Sequence, residues 1–410
     1  MLRGIKIRLI PTPEQEILFR KSAGTARWAY NYFLSENKRT YDETGKGVSE
    51  FDIRKHINNV LKKTTHTWLK EIGSNVMKQA VKDADIALKR FFNGVSGYPK
   101  YKNRHRSKPS FYVNYERLKR AGNGFQGERL GVVKTAYPLP KIKGHYSNPR
   151  ISYDGKHWFL SVVYEVAPEK AELTGASIGI DLGVKELATV STGKVYGNIN
   201  KTPRVRLLKK RLRRQQRRAS RKLECNIKSR DSLNRPIWKR PLRECKNVER
   251  QNALIRLTYK RLTDIRNNYL HQVTNELTKA KPSRIVMEDL NVRGMMKNRH
   301  LSRAIAEQKF YEFKRQIKYK CERYGIAFVE VGRFYASSKT CSHCGHVKAD
   351  LRLSDRIYKC TECGLVIDRD LNAAINLANY VPVATGEFKP VERQKNASSL
   401  CKSGRAEAGR

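Results

Sequence analysis

Four cysteines constrain this chain more tightly than any other feature. Cys341-x2-Cys344 and Cys360-x2-Cys363 are separated by 15 residues. Two such pairs at that distance read as one tetrahedral Zn2+ site with four thiolate ligands. Gly345 and Gly364 follow the pairs and permit the tight turns of a zinc ribbon. Four thiolates leave no open position, so the zinc is expected to be structural, with His343 and His346 as bystanders. Cys225, Cys245, Cys321 and Cys401 are scattered and read as reduced thiols.

Charge comes next. Lys plus Arg is 85, Asp plus Glu is 38, and the formal net charge is +47. A compact protein with that excess repels itself unless a polyanion neutralises it. Nucleic acid is the obvious polyanion, bound largely through released counterions. An anionic membrane surface is the alternative, but no apolar run of roughly 18 residues is present to span a bilayer, and no membrane partner is expected. The opening MLRGIKIRLIP alternates charged and apolar residues without a signal-peptide core, so a cytosolic protein is expected. Hydrophobic residues make up 39% of 410. That allows a real core in two or three domains.

Ile5, Ile7 and Leu9 alternate with Lys6 and Arg8, the pattern of a half-buried strand. Thr12-Pro13-Glu14-Gln15 reads as a helix start, with Thr12 as cap and Gln15 completing a capping box. Phe19, Ala23, Ala26, Tyr30 and Phe33 follow at helical spacing. Met77, Val81, Ala84, Leu88 and Phe91 mark a second helix, and core packing explains both stripes. Residues 96–170 read as β-rich, and Asp154-Gly155 signals a hairpin. This region is expected to pair with the N-terminal strand in one barrel, with the helices inserted. Residues 201–222 hold 12 basic residues and no acid. At that density a phosphate-binding helix is favoured over a merely solvated face, and Lys209, Lys210, Arg211, Arg213, Arg214, Arg217 and Arg218 are its candidates. Residues 223–247, with two prolines, read as a loop, and 249–279 as helix. The tail from about 381 reads as disordered.

Two acids end apolar runs, and a third opens a helix. Ile178-Gly179-Ile180 ends on Asp181, and Leu182-Gly183-Val184-Lys185 turns into Leu187-Ala188-Thr189-Val190. Ile285-Val286-Met287 runs into Glu288. In DRDLNAAINLA, Asp370 opens a short helix. Each alone has a bland reading: Asp181 as a cap or turn residue, Glu288 beside Asp289 as an ordinary strand-end acid, Asp368 and Asp370 as a helix cap. Together they suit phosphodiester hydrolysis. Mg2+ takes oxygen ligands, and two ions about 4 Å apart can activate water and stabilise the leaving oxygen.

IGIDLG, then VMEDLNV, then a cysteine quartet, then DRDLNAA resembles the split RuvC nuclease domain of the TnpB family. These are transposon-encoded, RNA-guided nucleases related to type V CRISPR effectors. WAYNYFL, ALKRFF with GYPKYKNR, and NYLHQVTNEL also look like family positions. The resemblance implies Asp181, Glu288 and Asp370 as catalytic Mg2+ ligands. Asp370 is preferred to Asp368 because the family ligand stands two residues before the Asn, here Asn372. It implies a multidomain α+β fold. A β-barrel wedge domain would span 1–11 and 96–172, a helical recognition domain 12–95, and an RNase H-like (RuvC) nuclease domain 173–335 and 365–380. A zinc ribbon at 336–364 would be inserted into the last of these, and 381–410 would form a disordered basic tail. It further implies a guide RNA and a double-stranded DNA target as partners of a monomer, with Ser74, Asn75, Lys78 and Gln79 as candidates for reading a flanking DNA motif. The stretch 223–247 is longer than the family pattern.

Two other classes compete with an RNA-guided endonuclease. One is an RNA-independent DNA transposase or resolvase with the same core. The other is a non-catalytic zinc-ribbon DNA-binding regulator, which loss of an acid would favour; no acid is lost.

Overall fold

The computed structural model describes residues 1–381 except 105, 106, 143, 168, 170, 334 and 353. Nearly all of the tail expected to be disordered lies outside the described residues. Strand β1 (Leu2–Ile10) leads directly into α1 (Pro13–Thr44). The capping box forms as the sequence requires: Thr12 Oγ1 accepts from Gln15 N–H and Gln15 Oε1 from Thr12 N–H. The helix ends at Gly45, whose φ of 70° places it in the left-handed region that glycine tolerates. Helices α2 (Glu50–His56) and α3 (Ser74–Phe92) follow. The expected stripes bury Phe19, Ala23, Ala26, Tyr30 and Phe33 of α1 with Met77, Val81, Ala84 and Leu88 of α3.

Six strands come next: β2 (Ser110–Tyr112), β3 (Lys119–Ala121), β4 (Gly124–Gly127), β5 (Gly131–Thr135), β6 (Ser147–Tyr153) and β7 (Trp158–Glu165). With β1 they form a sheet in the order β2-β6-β7-β1-β5-β4-β3. The first strand thus pairs antiparallel with β7 and with β5, and α1 to α3 leave the sheet between β1 and β2. Asp154-Gly155 does turn a hairpin, with Tyr153 opposite Trp158 and φ of 99° at Gly155. No pairing among the described residues joins β2 to β3, so the barrel expected from the sequence stays open; both edge strands are only three residues long. An ion pair ties α3 to the sheet: Arg150 donates to both carboxylate oxygens of Asp83 at 2.7 and 2.8 Å.

The second half opens with β8 (Thr174–Leu182), β9 (Glu186–Val190) and β10 (Val195–Gly197). Helix α4 (Pro203–Glu224) is the basic run. Its Val205, Leu212, Gln215 and Ala219 are buried, a seven-residue stripe that Val205 and Leu212 lay against Leu262 of α5 (Lys246–Lys279). Between these helices the sequence reading is corrected. Residues 223–247 contain a hairpin of β11 (Ile227–Arg230) and β12 (Pro236–Trp238). Pro236 sits at the first position of its strand, where a missing N–H is tolerated, so the two prolines did not signal an unstructured loop.

Strand β13 (Pro282–Glu288), helices α6 (Val292–Met295), α7 (Ser302–Gln308) and α8 (Phe310–Tyr324), and β14 (Ala327–Val331) complete a second sheet of order β10-β9-β8-β13-β14. Helices α5 and α8 cover one face, burying Leu270, Val273, Phe313 and Ile317 against Ile178, Ile180, Ile285 and Met287. After the cysteine segment, β15 (Ile357–Lys359) pairs with β16 (Val366–Asp368), which runs straight into α9 (Arg369–Ala378). Strand β16, the return strand of this hairpin, lies beyond residue 364.

Helix α9 lies on the opposite face of the second sheet, where Leu377 packs with Val286 and Val331. Contact is closest at Gly179 of β8. A Cβ there would stand 2.0 Å from Ala374 O and 2.4 Å from Ala378 N. No side chain fits without lifting the helix. Gly179→Ala is expected to destabilise the protein by about 1–3 kcal/mol, the range for forced overpacking. A denaturant midpoint equal to that of the wild type would show that α9 does not rest on β8.

Candidate active site

Pleating decides where the acids point. Side chains alternate along a strand, so with Ile178 and Ile180 facing α5 and α8, Gly179 and Asp181 face α9. By the same parity Ile285 and Met287 face the core and Val286 and Glu288 face α9. Strands β8 and β13 are parallel neighbours, with Met287 opposite Ile180. One step further, Glu288 reaches the carboxyl end of its strand beside Asp181. The carboxyl ends of parallel strands are where such sheets place ligand sites. Helix α9 brings Asp370, on its first turn, to the same edge.

Asp368 takes the other role. Its carboxylate caps α9, accepting from Asp370 N–H at 2.9 Å and Leu371 N–H at 3.1 Å. Asp370 is left on the sheet side, held by Arg369 Nη2 at 3.2 Å, with Arg356 at 4.0 Å. Asp289 is likewise engaged, by Lys314 at 3.0 Å and Arg333 at 2.8 Å, whereas Glu288 forms no ion pair with another described residue. Electrostatics registers the crowding. Burial, then Asp370, then Glu288 push the Asp181 carboxyl up to about 7, against opposition from Arg369. Burial and Asp289 raise Glu288.

Three supports escaped the sequence reading. Arg284 donates to Ser177 Oγ and to Ala378 O, both at 2.7 Å, and Ser177 Oγ donates to Ala378 O at 2.6 Å. These bonds fix the far end of α9. Gln308, buried, donates to the carbonyls of Gly183 at 3.1 Å and Val184 at 3.2 Å in the turn after Asp181. Its neighbour Glu307 receives Lys209 at 2.5 Å, Arg303 at 3.2 Å and Arg266 at 3.3 Å. Apart from the Arg303–Glu307 pair, these partners are far apart in sequence and leave no local signal.

The cysteines converge as their spacing requires. Their four Sγ atoms lie within 4.8 Å of one another, with Cys341 to Cys363 at 3.6 Å and Cys344 to Cys360 at 3.5 Å. A tetrahedron with Zn–S bonds of about 2.3 Å has edges of about 3.8 Å, so the sulfurs stand at zinc spacing. Gly345 and Gly364 take φ of 80° and 72°. Cys341 N–H donates to His346 O, and Cys360 N–H to Leu365 O, closing the two knuckles.

The nucleic-acid candidates divide. Lys210, Arg211, Arg213, Arg214, Arg217 and Arg218 are exposed along α4 and form no ion pair with another described residue. Lys209 does not belong with them, since Glu307 holds it. On α3, Asn75 donates to Glu128 at 3.0 Å and Gln79 to Asp83 at 3.0 Å. Both amides are engaged within the protein. Lys78 is exposed and Ser74 half-buried. Among the described residues no helix is long and apolar enough to cross a membrane.

Comparison with known proteins defines the class. Residues 161–299 match the OrfB_IS605 family, described as “Probable transposase”, and 310–377 match the Cas12f1-like TNB domain. Residues 1–46 match a family described as a helix-turn-helix domain; here they form one strand and one continuous helix. The mixed α+β fold resembles that of the Cas12f1-sgRNA-target DNA complex, with a TM-score of 0.52 and 16% identity over 92% of this chain and 99% of that one. A Streptomyces pristinaespiralis protein named “Putative RNA-guided DNA endonuclease” is 32% identical over 92% of this chain and 88% of its own length. An Escherichia coli K12 protein of the same name, InsQ, is 27% identical over 94% of each. The chain belongs to the TnpB family of transposon-associated proteins.

Two outcomes test this site. Asp181 has its folded pKa near 7, above an ordinary value of roughly 4, so the native state holds its proton more tightly than the unfolded chain. Without divalent cation, stability should fall as pH rises from about 4 to 7, and Asp181→Asn should remove that slope. At pH 8 the variant is expected to be more stable by about 1–3 kcal/mol. Parallel denaturation curves in chelator at pH 8, with no gain for the variant, would refute the crowding. Separately, elemental analysis should find one zinc per chain. Cys360→Ser should lose it and open the ribbon to protease, because metal binding supplies the folding free energy of so small a module. Metal-free protein with an intact ribbon would contradict this.

Proposed function

We propose that this protein is an RNA-guided DNA endonuclease that hydrolyses phosphodiester bonds with divalent cations held by Asp181, Glu288 and Asp370. The observation that carries the reading is the arrival of three carboxylates at one sheet edge, where burial, then Asp370, then Glu288 push Asp181 up to about 7. Oxygen donors crowded in this way suit a hard cation such as Mg2+. Two Mg2+ ions bound here would supply the Lewis acidity for hydrolysis.

The chain's own groups do the rest. Strand ends fix Asp181 and Glu288, and α9 sets Asp370 against them. Gln308 holds the turn after Asp181. The exposed cations of α4 bind phosphates near the acids without reading sequence. Guide RNA pairing with the target strand supplies specificity. In this reading 173–335 with 369–380 is the RuvC-like nuclease domain, 1–11 with 96–172 the wedge domain, 12–95 the recognition domain, and 336–364, extended to 368, the zinc ribbon. Lys78 and Ser74 remain available for a flanking motif, whereas Asn75 and Gln79 reach it only by leaving their present partners. The protein acts as a monomer in the prokaryotic cytosol or nucleoid. The names of its relatives support guide RNA and target DNA as partners.

The test is cleavage of matched and mismatched duplexes with and without RNA. Protein stripped of RNA should be inactive. Added guide should restore Mg2+-dependent cutting of the matched duplex alone. Asp181→Ala or Asp370→Ala should abolish cutting while DNA affinity stays within a factor of about 3, since the phosphate contacts remain. Sequence-specific cutting by RNA-free protein would instead favour a transposase or resolvase. Cutting by Asp370→Ala would remove that residue from the site.

A further inference from the structure

Helix α9 has two engaged faces. One brings Asp370 to the sheet edge. The other carries Asn372 and Asn376, one turn apart, toward the cysteine ribbon. Both amides are buried, at 0% and 6% exposure. Asn372 Nδ2 donates to Thr340 O at 2.7 Å, and its Oδ1 accepts from Ser342 N–H at 2.9 Å. Those are the peptide groups on either side of Cys341, the first ligand of the quartet. Asn376 Nδ2 donates to Thr340 O at 2.6 Å and to Ser337 O at 2.7 Å. The second hairpin grips the same helix end: Ile357 of β15 pairs with Asp368, the cap of α9, and Arg369 N–H donates to Arg356 O at 2.8 Å.

We infer that Asn372 and Asn376 are positioning residues that couple the metal-filled cysteine quartet to the placement of Asp370, and so to the divalent-cation affinity of the acid site. Buried amides do not part from their carbonyls without penalty, so knuckle and helix move together. Cys341, Cys344, Cys360 and Cys363 would hold zinc and so close the loop around Cys341; the asparagines would transmit that closure to the turn bearing Asp370. Partners one step behind a metal ligand commonly set its affinity in this way. The inference rests on the acid-site reading above.

The test uses the full-length protein with its RNA, and Mn2+ as the probe, followed by the paramagnetic resonance of the free ion. Binding that disappears in Asp181→Ala defines the acid site. The double variant Asn372→Ala/Asn376→Ala should retain one zinc per chain yet bind that Mn2+ about tenfold more weakly or worse. Its lost cleavage should return as Mn2+ is raised, a rescue that general misfolding would not allow. Asn376→Ala alone keeps both bonds of Asn372 and should fall between; it decides the matter if the double variant sheds zinc. Unchanged Mn2+ affinity in zinc-bearing variants overturns the coupling and leaves the acid site standing. Loss of zinc from both variants also overturns it, since the asparagines would then serve the ribbon alone. Absence of any Asp181-dependent Mn2+ site in the wild type overturns the acid-site reading together with the coupling.

Discussion

Helix α9 can lie on β8 only because residue 179 has no side chain. Any Cβ there meets the backbone of α9, and a helix held off the sheet would carry Asp370 away from Asp181 and Glu288. The contact therefore holds Asp370 near enough to Asp181, with Glu288 on the neighbouring strand, for both to act on it where water is partly excluded. Asp181 registers both burial and that crowding: burial first, then Asp370 and Glu288, push its carboxyl up to about 7. A divalent cation held there would relieve the crowding, so the destabilisation and the proposed affinity for cations would have the same origin.

The second constraint is the charge of +47. Part of it is neutralised internally, and the pattern is informative. Glu307 gathers Lys209, Arg266 and Arg303 at the root of α4, while the cations further along that helix remain outward and unpaired with described residues. The adjacent Gln308 holds the turn that follows Asp181. One dipeptide thus fixes the basic helix relative to the acids. A phosphate backbone lying along α4 would have a defined position with respect to the carboxylates.

Local physics was legible in the sequence. The capping box at Thr12, the α1 and α3 stripes, the Asp154-Gly155 turn and the cysteine spacing all formed as read, because each depends on residues within one or two turns or on a metal's fixed geometry. The apolar runs before Asp181 and Glu288 were legible as strands for the same reason. What was not legible is tertiary. Nothing local marks Gly179 as the seat of a helix 200 residues away, or assigns Lys209 to Glu307. The sequence read Asp368 and Asp370 alike as a helix cap, and only the structure gives the capping bonds to Asp368. The β11–β12 hairpin was hidden by its own proline, which sits harmlessly at a strand start. The asparagine clamp on the ribbon was invisible because Asn372 and Asn376 look like ordinary polar positions of an amphipathic helix.

The most direct measurement of the central claim is to change the guide segment of the bound RNA and map every DNA break made by the purified complex. An RNA-guided enzyme whose own surface reads only backbone and a short flanking motif must move its cut to the sequence matching the new guide, next to the same motif, and cease cutting the old one. A cut that stays at the original sequence after the guide is replaced would contradict the account, since recognition would then reside in the protein.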